Sequence, residues 1–356
     1  MTSFDAQAPS KTVALPDAVI GPGRPVYNIA EIGGNFATAA EGKALIDAAR
    51  GAGADAVKIQ TYRAATVSSR KARFAAEGME FTGDASQYEM FVKYQIDDAV
   101  QQDVYEYAVA QGVPIFSTPG HQSDVDQLEE LGNAVYKIGS DDASNLPLLR
   151  YVARLGKPIL LSTGMCTMEE TRRAVDAVLG EGNAELVLLH CVTNYPAAPE
   201  SVNLRAMVAL RHEFGLPTGY SDHVLGNEVC LAAVALGACV IEKHFTLDKE
   251  ADGPDHALSS TPDEFRALVD GVRAVEAALG DGIKRPAASE ATTRRNNRKS
   301  VVALLDIKAG ERVGADAIDI KRPGYGIESR HWEAVVGKVA LCDIPAEEIL
   351  TGEMLG

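Results

Sequence analysis

Basic residues are scarce in this chain. Its 356 residues include 34 Lys and Arg against 50 Asp and Glu, which gives a formal net charge of -16. A surface of this charge repels phosphates over any extended area, which argues against broad binding of nucleic acid or of an anionic membrane. An anionic ligand would therefore need a local basic pocket.

Cysteine and long apolar runs are also scarce. The five cysteines are odd in number and lack CxxC spacing, which favours reduced thiols and a cytoplasmic setting: Cys166, Cys191, Cys230, Cys239 and Cys342. The sequence contains no run of about 18 apolar residues, so it predicts no membrane helix. The first ten residues lack a basic stretch followed by an apolar one, so we expect a protein that is neither secreted nor membrane-spanning.

What the sequence does contain is a repeated alternation of strand-like and helical segments, which predicts a parallel α/β fold. The strand-like runs number eight, as in a (β/α)8 TIM barrel: Val26–Ile32, Ala54–Gln60, Val113–Thr118, Ala134–Gly139, Pro158–Thr163, Leu186–Cys191, Thr218–Ser221 and Ala238–His244. Helical patterns lie between them, such as Ala39–Gly51 and Met168–Leu179, the latter with Thr167 as a predicted N-cap and Glu170 three residues later.

The remaining length predicts an insertion and a second domain. Residues 63–97, with Arg70, Lys71, Arg73 and the segment Phe81–Tyr94, separate strands two and three; the alternatives are a lid over the active face and a surface elaboration. We expect the barrel to occupy residues 1–280 and a polar linker 281–299. A small β-rich domain follows at 300–356, with strand-like pieces at Ser300–Leu304, Ala317–Lys321 and Val339–Leu341.

Charged residues near the ends of apolar strands indicate a site, because parallel barrel strands present catalytic groups at their C-terminal ends. Glu31 follows an apolar run, and an unpaired carboxylate there would cost several kcal/mol. Lys58 and Lys137 at two further strand ends predict an anion pocket, to which Ser140, Ser162, Thr163 and Ser221 add hydroxyl groups. The alternative is that each lysine pairs with a nearby acid, such as Asp55 or Asp142.

Two histidines follow neighbouring strands, His223 after strand seven and His244 at the end of strand eight. Such a pair suits a catalytic divalent ion with open coordination positions, and the alternative is a pair of core histidines. His190 is predicted to be a hydrogen-bonding core residue and Cys191 a buried, unreactive thiol.

These residues lie in motifs that resemble the sialic acid (nonulosonate) synthases over nearly the whole chain. The matching stretches in the barrel are Ala30-Glu31-Ile32-Gly33, Gly53-Ala54-Asp55-Ala56-Val57-Lys58, Phe116-Ser117-Thr118-Pro119, Lys137-Ile138-Gly139-Ser140, Leu161-Ser162-Thr163-Gly164-Met165, Gly219-Tyr220-Ser221-Asp222-His223 and Glu242-Lys243-His244-Phe245. The tail resembles that family's antifreeze-like (SAF) domain through Arg298-Lys299-Ser300-Val301 and Lys321-Arg322-Pro323-Gly324.

The resemblance implies a reaction and its partners. Phosphoenolpyruvate and water would condense with an open-chain N-acylated hexosamine, such as N-acetylmannosamine, to give a nonulosonic acid and phosphate. The family uses a divalent ion, Mn²⁺ or Mg²⁺, which His223 and His244 would bind. It also implies a homodimer in which Arg322 of the SAF domain reaches into the partner subunit's barrel.

By the same resemblance, phosphoenolpyruvate would contact a set of lysines and hydroxyls: Lys58, Thr118, Lys137, Ser140, Ser162, Tyr195 and Ser221. The sugar would contact Gln60, Asp255 and Glu31. We expect Glu31 to position the sugar and Asp142 to activate water, with Lys58 and Lys137 stabilising the phosphate.

Departures from the family pattern leave the acceptor open. Asp141-Asp142 stand where Gly-Glu is common, so the shorter Asp142 has a different reach. Asn35-Phe36 stand where Asn-His is usual, so we expect a polar contact near the sugar to be lost and an aromatic face to be added. Thr193 stands where Asn or Ser is common and keeps a hydroxyl donor. The alternatives are the same condensation on another acceptor, such as a diacetamido hexose or another sugar aldehyde, and a non-catalytic binding protein.

Overall fold

Eight parallel strands close a barrel in the computed structural model, which describes residues 11–71 and 86–356. They follow a short antiparallel hairpin, β1 (Val13–Ala14) and β2 (Val19–Ile20). The barrel strands are β3 (Tyr27–Glu31), β4 (Ala56–Thr61), β5 (Ile115–Pro119), β6 (Tyr136–Ile138), β7 (Ile159–Ser162), β8 (Leu186–Cys191), β9 (Thr218–Asp222) and β10 (Val240–His244). Strand β10 pairs with β3 and completes the ring, so all eight predicted strands are confirmed.

Helices cover the outside of the barrel. In chain order they are α1 (Ala39–Gly51), α2 (Ala64–Val67), α3 (Gln87–Tyr94), α4 (Asp98–Ala110), α5 (Gln122–Glu130), α6 (Leu146–Ala153), α7 (Met168–Leu179), α8 (Pro199–Val202), α9 (Arg205–Phe214), α10 (Glu228–Ala235) and α11 (Pro262–Leu279). Thr167 and Glu170 form the predicted capping box at the start of α7. The bounds of α1 and α7 match their predictions because both helices begin at strong caps.

The interior of the barrel has two layers. Since side chains alternate along a strand, each strand sends every second residue inward. The lower, N-terminal layer is apolar and fully packed: Ile29, Ala56, Phe116, Leu160, Val187, Leu189 and Val240. Val13 and Ile20 of the hairpin join this cluster and are fully buried. The hairpin therefore helps to close the lower end of the barrel, and polar groups inside it face the upper end.

Outward-facing strand residues form a second core against the helices, with one buried ion pair as the exception. Lys243 of β10 donates to Asp222 at 2.5 Å and to the Val224 carbonyl at 2.7 Å. Tyr220 and Cys230 also donate to the Asp222 carboxylate, at 2.9 and 3.0 Å. This buried pair links the ends of β9 and β10, next to His223 and His244.

The inserted segment between β4 and β5 is partly described. Residues 63–71 and 86–97 contain α2 and α3, while Arg73 and Phe81 lie outside the described residues. Phe91 of α3 packs against Tyr62, with ring centroids 5.1 Å apart, and Lys93 forms an ion pair with Asp252 at 3.2 Å. Helix α3 is thus attached to the loop that follows β10, on the C-terminal face of the barrel.

A second compact unit runs from Asp281 to Gly356. It contains α12 (Ala291–Asn297), the antiparallel pair β11 (Ser300–Ala303) and β12 (Ile318–Lys321), and α13 (Trp332–Val335). The segment 281–299, predicted as a linker, therefore carries a helix. The predicted strand at Val339–Leu341 is wrong for the described structure: Val339 and Ala340 make single bridges, to Arg312 and Leu355.

Every helix among the described residues is too short or too polar to span a bilayer.

We predict that Lys243→Met lowers the free energy of unfolding by about 3–5 kcal/mol, because it leaves the Asp222 carboxylate buried without a cation. Asp222→Asn in the same chain should recover most of that loss. Urea unfolding measures both.

The control is Lys249→Met, which removes an exposed ion pair to Glu264 and should cost at most about 1 kcal/mol. Equal losses in Lys243→Met and Lys249→Met would contradict the buried pair's role.

Candidate active site

A polar layer lies directly above the apolar layer inside the barrel. Its members stand two residues after apolar inward-facing ones, so the alternation of each strand places them on the same inner surface: Glu31, Lys58, Thr118, Lys137, Ser162 and Glu242. All of them lie at or near the C-terminal ends of their strands, where barrel enzymes carry their sites.

Lys58 lies in contact with Glu31 and donates to Thr118 Oγ1 at 3.1 Å. The other carboxylate oxygen of Glu31 accepts from the Gly33 backbone N–H at 2.6 Å. A Cβ at position 33 would overlap that oxygen, so glycine is required there. Burial lowers the pKa of Lys58 to about 8, and the charge of Glu242 opposes the shift. The contact with Glu31 also favours the charged ammonium group.

Lys137 faces Glu242 across the barrel, with 3.7 Å between Nζ and Oε1, and donates to the Ile138 carbonyl. Ser221 donates to Glu242 at 2.9 Å. Burial works against ionisation of Glu242, yet the charges of Lys137 and Lys58 hold its pKa below the usual value. Both lysines are thus paired with carboxylates inside the barrel.

The alternative pairing considered from the sequence, with Asp55 or Asp142, is wrong. Asp55 pairs with Arg273 at 3.3 Å, and Asp142 accepts from the side-chain amide of Asn145 at 2.8 Å. The lysines instead pair with Glu31 and Glu242, which are distant in sequence. Closure of the barrel brings these acids next to the lysines.

Hydroxyl groups gather around Gly164, beside this layer. Ser140 Oγ accepts from the Gly164 N–H at 2.9 Å, and Thr193 Oγ1 lies on the same side of this glycine. Thr163 donates to the Leu189 carbonyl instead. Ser162 Oγ and Thr193 Oγ1 are buried and have no hydrogen-bond partner among the described residues. These hydroxyls are available to a ligand.

Several buried polar atoms at this end of the barrel have no hydrogen-bond partner among the described residues. Besides the two hydroxyls, they include Glu242 Oε2 and His244 Nδ1. Because a buried polar group without a partner is costly, a cluster of them indicates that a bound molecule supplies the partners. Two lysines and several hydroxyls are suited to an anion with several oxygens, such as a phosphate ester.

His223 and His244 lie side by side, with ring centroids 5.4 Å apart, and Tyr195 packs on His223 at 4.1 Å. His223 Nδ1 donates to the Val192 carbonyl at 2.8 Å, which leaves its Nε2 lone pair for a ligand. Burial lowers the pKa of both histidines, which favours the neutral form that metal binding requires.

The two imidazoles therefore fit a divalent ion. The described residues hold no cluster of three or more His, Cys, Asp or Glu arranged for a metal, so substrate or water would have to supply the other ligands. Asp255 lies nearest, with Oδ2 3.6 Å from His244 Nδ1. Burial raises the pKa of Asp255 to about 7, and the charge of Lys58 opposes the shift.

Other predicted residues fall in different places. Gln60 lies inward on β4, two residues above Lys58 and beside Gly33. Phe36 is buried, and its ring covers Gly42 of α1, so it gives the site no aromatic face. Arg322 is exposed in the second unit, and its contact with a partner's barrel stays a prediction.

Two predictions about neighbouring residues agree with the structure. His190 Nε2 hydrogen-bonds with the Val202 carbonyl at 2.6 Å, as expected of a core histidine. Burial raises the pKa of the Cys191 thiol, which keeps it protonated and unreactive.

Glu242 is the residue that sequence reasoning missed. It stands in the motif that supplied His244, but it was given no role. The alternation of inward and outward side chains along β10 would have identified Glu242, because position 242 faces inward when Val240 does.

Together these features define a barrel with an active site in which two buried lysines and unpartnered hydroxyls lie near a pair of imidazoles. The chain belongs to the NeuB family, whose model matches residues 45–284, and residues 298–356 match the SAF domain. It is therefore an enzyme of the phosphoenolpyruvate-dependent condensing class.

Characterised relatives cover most of the chain. It is 42% identical to the N,N′-diacetyllegionaminic acid synthase of Campylobacter jejuni over 311 residues, 86% of this chain and 93% of that protein. It is 38% identical to the pseudaminic acid synthase of the same organism, over 90% and 93% of the two chains. The structure of the N-acetylneuraminic acid synthetase from Leptospira borgpetersenii superimposes with a TM-score of 0.70 and 31% identity, over 80% of this chain and 95% of that one.

We predict that the chelator-treated protein binds one Mn²⁺ per chain, and that His244→Ala weakens this binding at least tenfold because it removes a nitrogen ligand. Calorimetric titration of the ion measures both. His212→Ala, an exposed histidine on α9, is the control and should bind as the unchanged protein does. Equal Mn²⁺ affinity in His244→Ala and the unchanged protein would rule out the assignment.

Proposed function

We propose that this enzyme condenses phosphoenolpyruvate and water with the open-chain form of a di-N-acylated amino sugar, giving a nonulosonic acid and phosphate. The observation that carries the proposal is a pair of buried lysines, Lys58 and Lys137, inside the barrel. The unpartnered hydroxyls of Ser162 and Thr193 lie at the same end, where the barrel strands finish. Phosphoenolpyruvate has both a phosphate and a carboxylate to match them.

The proposed acceptor follows from the relatives' names and from simple chemistry. The relative of 42% identity makes an acid with two N-acetyl groups. Phosphoenolpyruvate contains no nitrogen, so both acetamido groups of such a product must come from the acceptor. A diacetamido hexose is therefore the proposed substrate class, with N-acetylmannosamine as the singly acylated alternative.

Binding of phosphoenolpyruvate would use the lysines as its main charges. In the water-poor interior, ion pairs between ammonium groups and phosphate or carboxylate oxygens are stronger than at the surface. Ser140 and Ser162 would donate to the remaining oxygens, with Thr118, Tyr195 and Ser221 beside them. The ligand would give Ser162 the partner it lacks.

The acceptor would lie between phosphoenolpyruvate and the loop that follows β10. Glu31, Gln60 and Asp255 would bind its hydroxyl and amide groups. A divalent ion, Mn²⁺ or Mg²⁺, held by His223 and His244, would supply the positive charge that polarises the sugar aldehyde. Tyr195, packed on His223, would fix that imidazole and help to exclude water.

Proton transfer completes the reaction. Once C3 of phosphoenolpyruvate has bonded to the aldehyde carbon, C2 is left electron-deficient, and water adds there. That water must give a proton to a carboxylate within hydrogen-bond reach. The end of β6 provides two, Asp141 and Asp142, of which the sequence favours Asp142.

We predict chelator-sensitive release of phosphate from phosphoenolpyruvate with Mn²⁺ and a diacetamido hexose, at a kcat/KM at least tenfold above that for N-acetylmannosamine. A phosphate assay with mass spectrometry of the product measures this. Lys137→Met should release none, while Lys43→Met on the surface of α1 should behave as the unchanged protein.

A preference for N-acetylmannosamine would refute the proposed acceptor. Phosphoenolpyruvate binding without release, across the whole sugar panel, would instead favour a non-catalytic binder.

We further propose a homodimer in which Arg322 completes the acceptor site of the partner subunit. Arg322 is exposed and carries none of the ion pairs found within the described residues. Its guanidinium group is well suited to an acyl carbonyl. This role would leave phosphoenolpyruvate binding in the barrel largely independent of it.

A mixture of two inactive variants tests this shared site. Arg322→Ala and Lys137→Met should each be inactive alone. If each site draws on two chains, unfolding and refolding the two variants together should restore up to about a quarter of normal activity. Mixing Arg330→Ala with Arg322→Ala is the control for the refolding yield. No recovery from the first mixture, with hybrid dimers present, would refute the shared site.

A further inference from the structure

The chain stays extended beyond the end of β4, and the residues on either side of Tyr62 face outward. Thr61 Oγ1 accepts from Gln101 of α4 at 2.6 Å. Arg63 donates to Gln127 of α5 at 3.1 Å, and its own backbone is extended, with φ -116° and ψ 130°. Because side chains alternate along an extended chain, Tyr62 between them points to the barrel mouth.

Tyr62 therefore continues the inward-facing column of β4, two residues beyond Gln60 and four beyond Lys58. Phe91 of α3 packs edge-to-face on its ring, with 5.1 Å between centroids and 67° between the ring planes. This is a favourable geometry for two aromatic rings, and it fixes the orientation of the Tyr62 ring. We call Tyr62 and Phe91 the aromatic wall.

The aromatic wall borders the region proposed for the acceptor. Tyr62 is half-buried, and burial raises its pKa while the charge of Asp255 adds to that shift. Asp255 Oδ2 in turn lies 3.6 Å from His244 Nδ1. The ion pair of Lys93 with Asp252 attaches α3 to the loop that carries Asp255. Tyr62 and Asp255 thus belong to the same mouth of the barrel.

The dimensions of the mouth indicate which part of the acceptor reaches the wall. The aldehyde carbon would lie beside His223 and His244, and the acylamino group of N-acetylmannosamine is on the carbon next to it. A second acylamino group must stand further along the sugar chain. Only β3 separates β10 from β4, so their ends are roughly 10 Å apart. The second acyl group is therefore the part that extends toward β4.

We propose that Tyr62, supported by Phe91, determines acceptor specificity by packing its ring against the second acyl group of the sugar. This rests on the proposed function and deepens it. The acyl methyl group leaves water when it contacts the ring, which is favourable. N-acetylmannosamine has a hydroxyl group instead, which gains less from an aromatic surface and loses water.

The test uses acceptors that bind but cannot react. Reduction of the aldehyde gives the open-chain alcohols of a diacetamido hexose and of N-acetylmannosamine, and calorimetry with Mn²⁺ and phosphoenolpyruvate present measures their Kd values. The unchanged protein should bind the diacetamido alcohol about tenfold more tightly. Tyr62→Ala should reduce this ratio at least about fivefold, while Tyr62→Phe should keep it within about twofold. Tyr107→Ala, on the surface of α4, is the control and should keep it too.

A larger acyl group separates contact with the ring from a general disturbance of the fold. An alcohol with a butanoyl group at the second position should bind the unchanged protein less tightly than the diacetamido alcohol. In Tyr62→Ala it should bind at least as tightly, because the missing ring leaves room. The affinity for phosphoenolpyruvate alone should be the same in both proteins. If Tyr62→Ala does not fold, Tyr62→Leu serves for the same comparison.

A ratio that Tyr62→Ala leaves unchanged would overturn the proposal, as would equal losses for the two alcohols. Equal binding of both alcohols to the unchanged protein would also overturn it. Failure of the proposed reaction has a different signature, since it is the absence of phosphate release with the unreduced sugars. A protein that releases no phosphate, yet has a ratio that depends on Tyr62, would refute the reaction and support the role of the aromatic wall.

Discussion

Two ion pairs inside the barrel, Lys58 with Glu31 and Lys137 with Glu242, are the interactions on which the site depends. Charges taken out of water are costly unless opposite charges and hydrogen bonds compensate them. Here each lysine has a carboxylate and at least one further oxygen as a partner. The carboxylates compensate the lysines electrostatically, and the ring of strands holds both lysines at the end of the barrel where the polar layer lies.

The two layers of the barrel interior explain why this arrangement is stable. The apolar lower layer and the β1–β2 hairpin form a packed cluster, which provides the burial that a polar upper layer cannot. The outward pair of Lys243 and Asp222 ties the ends of β9 and β10 together, next to the two histidines. Unpartnered polar atoms of Ser162, Glu242 and His244 lie at this end of the barrel, where a ligand would supply their partners.

Adjacent residues at a strand end can have different neighbours. Asp141 and Asp142 have the same side chain and similar sequence context, yet Asp141 is folded across Gly139 and Asp142 accepts from the side-chain amide of Asn145. A short 3₁₀ turn, 141–144, begins at this point and rotates successive side chains to different sides.

The sequence by itself determined the eight strands, the helices with strong caps and most polar groups at the strand ends, because these follow from local periodicity and capping. It also carried the family's motifs. Only the tertiary structure decided which acids pair with the lysines, that Phe36 is a core residue and that Glu242 lies in the site. The physical reason is that these contacts join strands and turns far apart in sequence, and closure of the barrel sets their distances.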